Sequence, residues 1–225
     1  MTEQEWLAQD LADSGDFDVL LSFLRSKVSD RKLRLFACGC MQYVEDLRTD
    51  QSALLAVEVA ERFADGRASA EERDAALHAL PSALASIITP QGFIPTPVAA
   101  ALWPDAVEAA EHAARTVTTD CYGCYVAYPG VEKDMLNLFR DIVGLLPFRS
   151  IPLDPAWLTT TVKAVAQAVY TDRDFDRLPI LADALEDAGC TNADILNHCR
   201  QPGEHVRGCW CVDLEIGRAS CRERV

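Results

Sequence analysis

The side chains of this sequence with the most chemistry to offer are its thiols and imidazoles. Cys121 and Cys124 form a C-x-x-C, a spacing that supplies half of a tetrahedral zinc site or one redox pair. A zinc site needs two more ligands, and ligand types crowd together far downstream at His198, Cys199, His205, Cys209 and Cys211. Thiolate and imidazole are donors that zinc accepts, although the spacing of this second group repeats no standard knuckle. Cys121, Cys124, His198, Cys199, His205 and Cys209 are therefore the candidate metal residues, and structural zinc is the cofactor such a set would hold. The more economical reading makes them loop and core thiols, with no cofactor. Redox chemistry at the C-x-x-C would need a strand–helix frame with the first Cys at a helix start, which the surrounding residues do not show.

Covalent catalysis is a weaker expectation. An imidazole beside a thiol can lower the thiol pKa, but His198 and Cys199 are adjacent, and neighbours on a helix point in different directions. His205, after Pro202 and Gly203, is better placed, yet no third group that would orient it is visible. Asp172, Asp174 and Asp176 imitate the start of a calcium loop, but Arg177 stands where a glycine is needed. Helix capping and first-turn charge account for these aspartates. The sequence has no phosphate-binding glycine loop, dinucleotide fingerprint, nucleophile elbow or zinc-protease His pair. No catalytic and no cofactor-binding residue is assigned, and a non-enzymatic role is expected. The alternative is a metal-dependent or thiol enzyme using the Cys121/Cys124 loop and the segment from His198 to Cys211.

The elements that must position these side chains are helical from end to end. Ser29 can cap a helix in which Leu33, Phe36, Cys40, Val44 and Leu47 recur at steps of three and four. That spacing leaves Arg34, Gln42 and Glu45 for water. Asp50 can cap a helix that turns Leu54, Val57, Ala60 and Ala64 inward until Gly66 ends it. Ser69 and Glu72 form a capping box, opening a helix that Pro81 interrupts or restarts. Thr96 and Pro97 open another helix. From Thr119 to Gly130 the helical stripe fails, which predicts a loop, with room for a short hairpin. Met135, Leu138, Phe139 and Ile142 mark a helix stopped by Gly144. Trp157, Val162, Val165 and Val169 mark the next, and Leu178, Leu181, Leu185 and Ala188, capped by Asp176, mark another before a short helix around Ala193 to Cys199.

These readings predict an all-α fold, an irregular multi-helix bundle or array of about nine to eleven helices. Three prolines and a glycine between Thr89 and Pro97 predict the division. An N-terminal helical half then covers 1–88, a Pro-rich connector 89–97, and a C-terminal helical half 98–215.

Composition narrows the role. The 225 residues are 49% hydrophobic and 25% charged, with nine cysteines, which is globular composition far below disulfide-scaffold density. A net charge of −14 with no concentrated basic face disfavours nucleic acid. The longest apolar run, Val98 to Trp103, is too short for a membrane span. Met1 to Leu11 lack a basic start and an apolar stretch, so no secretory signal is expected and the location is cytoplasmic. Trp103, Trp157 and Trp210 lie near helix starts or in loops, where they can anchor a core or a partner surface.

The segment 216–225, Ile216 to Val225 (IGRASCRERV), resembles a sequencing adapter translated in frame and is expected to be non-native. It contributes three arginines and one glutamate, so the remainder is more acidic still. Phe23 to Cys40 (FLRSKVSDRKLRLFACGC), Ala56 to Gly66 (AVEVAERFADG) and Leu138 to Asp213 (with DRLPILADALEDAGC and HVRGCW) resemble an uncharacterised family of planctomycete-type bacterial proteins. Arg177 to Gly189 is also similar to a helical repeat-companion domain of large bacterial genomes. The resemblance implies no activity, cofactor or catalytic residue. The leading expectation is a non-catalytic helical protein-interaction or scaffold module with a protein partner, no nucleic acid and no membrane. A mimic of nucleic acid that inhibits a binding protein has only the net charge behind it.

Overall fold

The computed structural model describes residues 22–23, 27–89, 92–118, 130–144, 148, 151 and 153–217, the side chains of 87–89, 92–95 and 118 excepted. The expected loop thiols Cys121 and Cys124, the stretch 119–129 and the tail 218–225 lie outside the described residues. Within them the protein is all-α, with twelve α-helices and a single two-stranded hairpin. The count passes the expected nine to eleven because several helices have four to six residues, too few to show a 3.6-residue period. No described helix is long and apolar enough to cross a membrane. The chain forms two compact units, Met1–Phe139 and Arg140–Val225.

In the first unit, α1 (Asp30–Gly39) is capped by Ser29, whose hydroxyl accepts from the Lys32 amide. Two short helical pieces come next, a 3₁₀ turn at Cys40–Tyr43 and α2 (Glu45–Thr49). Asp50 then caps α3 (Gln51–Ala64) by accepting from the Ser52 and Ala53 amides. The inward stripe of α3 is Ala53, Ala56, Val57 and Ala60: Val57 and Ala60 face the core as expected and Ala64 is half-buried, while Leu54 is 41% and Leu55 53% exposed. Small side chains on the packed face let α1 and α3, which are in contact, approach closely, and leave no room there for leucine.

The capping box of Ser69 and Glu72 opens α4 (Ala70–Ala79), and α5 (Ser82–Ala85) comes after Pro81. The expected connector is instead an antiparallel hairpin, β1 (Ser86–Thr89) and β2 (Gly92–Pro95), with Ile87 opposite Ile94 and Ile88 opposite Phe93. It runs directly into α6 (Pro97–Ala101), capped by Thr96. Prolines are tolerated at the end of an edge strand and at the first turn of a helix, so their clustering here marks a strand-to-helix junction inside one unit. Asp105 caps α7 (Ala106–Thr118) by accepting from the Val107 and Glu108 amides. Helix α1 packs against α3, α6 and α7, with alanines 99–101, 109, 110, 113 and 114 buried.

Arg34 is buried and not left for water. Its guanidinium donates to the carbonyls of Trp103 and Pro104 and lies 4.9 Å from the Phe63 ring centroid. Those carbonyls lie in the turn between α6 and α7, and a planar fork can serve two of them together.

The boundary between the units falls within α8 (Val131–Val143). The second unit continues through a 3₁₀ turn at Pro155–Trp157 to α9 (Thr160–Asp172), capped by Thr159 and ended by Arg173 in the left-handed region. A 3₁₀ turn at Phe175–Arg177 leads into α10 (Leu178–Asp187), in which Arg177 and not Asp176 holds the capping position. Asp172, Asp174 and Asp176 are all exposed. Asn192 caps α11 (Ala193–Arg200) through the Asp194 and Ile195 amides, and α12 (Trp210–Glu215) begins after Cys209. Val162, Val169, Tyr170, Leu178, Leu181, Leu185 and Ile195 form its core, with Trp157, Val165, Ala188 and Ile216 packed on the edge.

Candidate metal centre

Asp141, His198, His205 and Cys209 meet inside the second unit, where one ligand atom from each lies within 4.8 Å of all the others. Each is delivered by a different local device. Asp141 sits in the last turn of α8, which ends at Gly144 in the left-handed region (φ +69°). A Cβ on Gly144 would lie 2.7 Å from Cγ of Trp210, so the glycine lets the indole pack against the chain three residues past the carboxylate. His198 stands in the last turn of α11, with its ring 4.9 Å from Trp210 and 5.0 Å from His205, centroid to centroid. The irregular segment after α11 then brings back His205, and Cys209 sits where α12 begins.

The contacts converge on one carboxylate. Asp141 Oδ1 is 2.6 Å from His205 Nδ1 and 3.2 Å from His198 Nε2, while Oδ2 accepts from the Val206 amide at 3.1 Å. His198 Nε2 is also 3.1 Å from Cys209 Sγ, and its Nδ1 is 3.1 Å from the side-chain amide of Gln201. A carboxylate only accepts, so in the metal-free chain His205 Nδ1 carries a proton. His205 Nε2 is buried with no hydrogen-bond partner among the described residues. Three of the four are buried, Asp141 3%, His198 7% and Cys209 1% exposed, and His205 is half-buried.

Burial would raise the Asp141 pKa, but hydrogen bonds from His198 and His205 and their charges hold it well below the usual carboxylate range. Burial lowers the His205 pKa, and the hydrogen bond and charge of Asp141 more than reverse this, so the net shift is upward. The Cys209 thiol is pushed well above its ordinary value by burial, with the Asp141 charge adding to it. The site is thus anionic in character at its centre and holds protons where a cation would sit. A divalent cation would reverse that balance, displacing protons from nitrogen and sulfur.

The donor types suit zinc, and the four ligand atoms, spread over up to 4.8 Å, would have to draw together around it. Zn–N near 2.05 Å, Zn–O near 2.0 Å and Zn–S near 2.3 Å in a tetrahedron place N and O about 3.3 Å apart and N and S about 3.6 Å apart. The His198–Asp141 and His198–Cys209 separations are within a few tenths of an ångström to half an ångström of these values. The His205–Asp141 contact must open by more than half an ångström, as expected when a hydrogen bond is replaced by a shared ion. Two imidazoles, one carboxylate and one thiolate would make up four-coordination, with no position left for a reacting water. Gln201 is suitably placed to fix His198 from behind, by turning its amide so that oxygen accepts from Nδ1–H once Nε2 is a ligand.

Three of the six residues picked from the sequence are brought together here: His198, His205 and Cys209. Cys199 is not among them; its sulfur lies 3.2 Å from that of Cys211, on the other side of the chain from its neighbour His198. Cys121 and Cys124 lie outside the described residues. Among the described residues no other group of three or more potential ligands converges, and the three aspartates of the calcium-like stretch do not meet at a point. Asp141 was missed because a helical aspartate reads as solvated. The available signal was its position three residues after buried Leu138 and beside buried Ile142, inside the apolar stripe, where a carboxylate must find partners. No protein family, no curated protein and no solved structure matches this chain.

Proposed function

We propose that the second unit is a structural metal-binding module that holds one zinc ion through Asp141, His198, His205 and Cys209, in a non-catalytic helical protein that binds another protein. The observation that carries this reading is the convergence of four donors from three separate segments, Asp141, His198 and Cys209 buried and His205 half-buried. The ion would tie the end of α8, the end of α11 and the start of α12 to one point. Such a tie matters most in the segment between α11 and α12, which forms no helix or strand and has a backbone turn bond from Cys209 to Val206. A four-ligand set with three buried members supports a scaffolding role over hydrolytic chemistry, which requires an open coordination position. Exposed Leu54 and Leu55 on α3 and exposed Ile180 on α10 support a protein partner as the class of ligand.

The test is metal analysis of the full chain together with cobalt(II) substitution. One equivalent of zinc per chain is expected, and cobalt should give tetrahedral visible absorption with a thiolate-to-metal charge-transfer band. Cys209→Ser should abolish that band. Persistence of the band in Cys209→Ser with its loss in Cys121→Ser would place the metal elsewhere and overturn the assignment.

A further inference from the structure

Four of the buried thiols belong to the second unit: Cys190, Cys199, Cys209 and Cys211, all free. Cys209 is taken up by the centre described above. Cys199 and Cys211 face each other with their sulfurs 3.2 Å apart, closer than ordinary sulfur–sulfur packing and with no third ligand group converging on them among the described residues. They come from α11 and α12, which are in contact, and they are twelve residues apart in the chain. The loop they bracket contains His205 and Cys209.

We propose that Cys199 and Cys211 are a redox-active dithiol that closes to a disulfide joining α11 to α12. Bond formation brings the sulfurs to about 2.05 Å, a movement of roughly one ångström that side-chain torsions supply. Both sulfurs are buried, so the oxidant must be small, and a hydroperoxide of the size of hydrogen peroxide meets that condition. In the first step one sulfur attacks a peroxide oxygen: the S–O bond forms, the O–O bond breaks, and the thiol proton leaves with the departing oxygen as water. In the second, the other sulfur attacks the sulfenic sulfur: the S–S bond forms, the S–O bond breaks, and a second water leaves with the second thiol proton. The two sulfurs are oxidised, and both peroxide oxygens are reduced. The product is a reversible staple across the segment that carries His205. The pairing rests on the two sulfur positions and not on the presence of a metal.

The experiment treats the folded full chain with equimolar hydrogen peroxide and quenches it with an alkylating agent. Peptide mapping then uses fragmentation that separates Cys199 from Cys190 and Cys211 from Cys209. A Cys199–Cys211 link that a dithiol reductant removes is expected, and it should be lost in both Cys199→Ser and Cys211→Ser. The link should form in the wild-type chain both with and without added zinc, so failure of the zinc reading leaves this result standing. A link that engages Cys209 instead, or one that appears only after unfolding in urea, would overturn the proposal.

Discussion

Replacing Asp141 by alanine is the most direct challenge to the metal centre, because this carboxylate touches His198, His205 and the Val206 amide together. Structural zinc sites contribute roughly 10–16 kcal/mol of apparent binding free energy, so one ligand in four accounts for about 2.5–4 kcal/mol. At 1.4 kcal/mol per tenfold, that is a loss of about 10²–10³ in zinc affinity. The metal-free protein should suffer as well, since removing one partner of a buried charged group costs about 3–5 kcal/mol. Zinc present at a hundred times its Kd stabilises the wild type by about 2.7 kcal/mol. In a unit of this size each kcal/mol moves the melting temperature by about 4–8 °C, so a strong chelator should lower the wild-type transition by roughly 10–20 °C. The assay is thermal unfolding with and without chelator, paired with zinc competition against a chromophoric chelator. Asp141→Ala should melt low in both conditions and show no chelator shift. The reasoning fails if the variant holds zinc within a few-fold of wild type, or if chelation leaves the wild-type transition where it was.

Gly144→Ala places a methyl group against the Trp210 ring at a backbone conformation of φ +69°; the two penalties together should cost about 2–5 kcal/mol in urea unfolding. Both carboxylate oxygens of Glu215 are buried without hydrogen-bond partners among the described residues, and burial raises its pKa to about 7. Because the folded state holds this proton more tightly than the unfolded state, stability is greatest below the ordinary value of 4.5 and falls as pH rises towards 7. The loss should reach roughly 3 kcal/mol at pH 8. Glu215→Gln should flatten that part of the stability–pH curve, measured by denaturant midpoints from pH 4 to 8. Arg34→Lys keeps the charge but cannot span the Trp103 and Pro104 carbonyls, so it should destabilise the first unit by about 1–3 kcal/mol in equilibrium unfolding, whereas exchange of the exposed Arg48 should change little.

Much of the helical frame was legible in the residues. Ser29, Asp50, Thr96 and the Ser69–Glu72 box cap helices where their side chains predict it, and Gly66, Gly144 and Gly189 take the left-handed conformation at helix ends. These are local decisions, made by groups within four residues of one another, and local chemistry can be read from local sequence. His198, His205 and Cys209 could be picked out as ligand types by the same kind of reading. What only the tertiary structure decided is which groups meet. Asp141 and His205 are separated by 64 residues, and no spacing rule links a helical aspartate to a loop imidazole at that range. The outward turn of Leu54, the burial of Arg34 and the pairing of Cys199 with Cys211 in place of a metal were decided there too. In each case the free energy of a side chain depends on what another segment presents to it: an alanine face, two turn carbonyls or a second thiol. Periodicity along the chain says which way a residue points, and only packing says what it finds there.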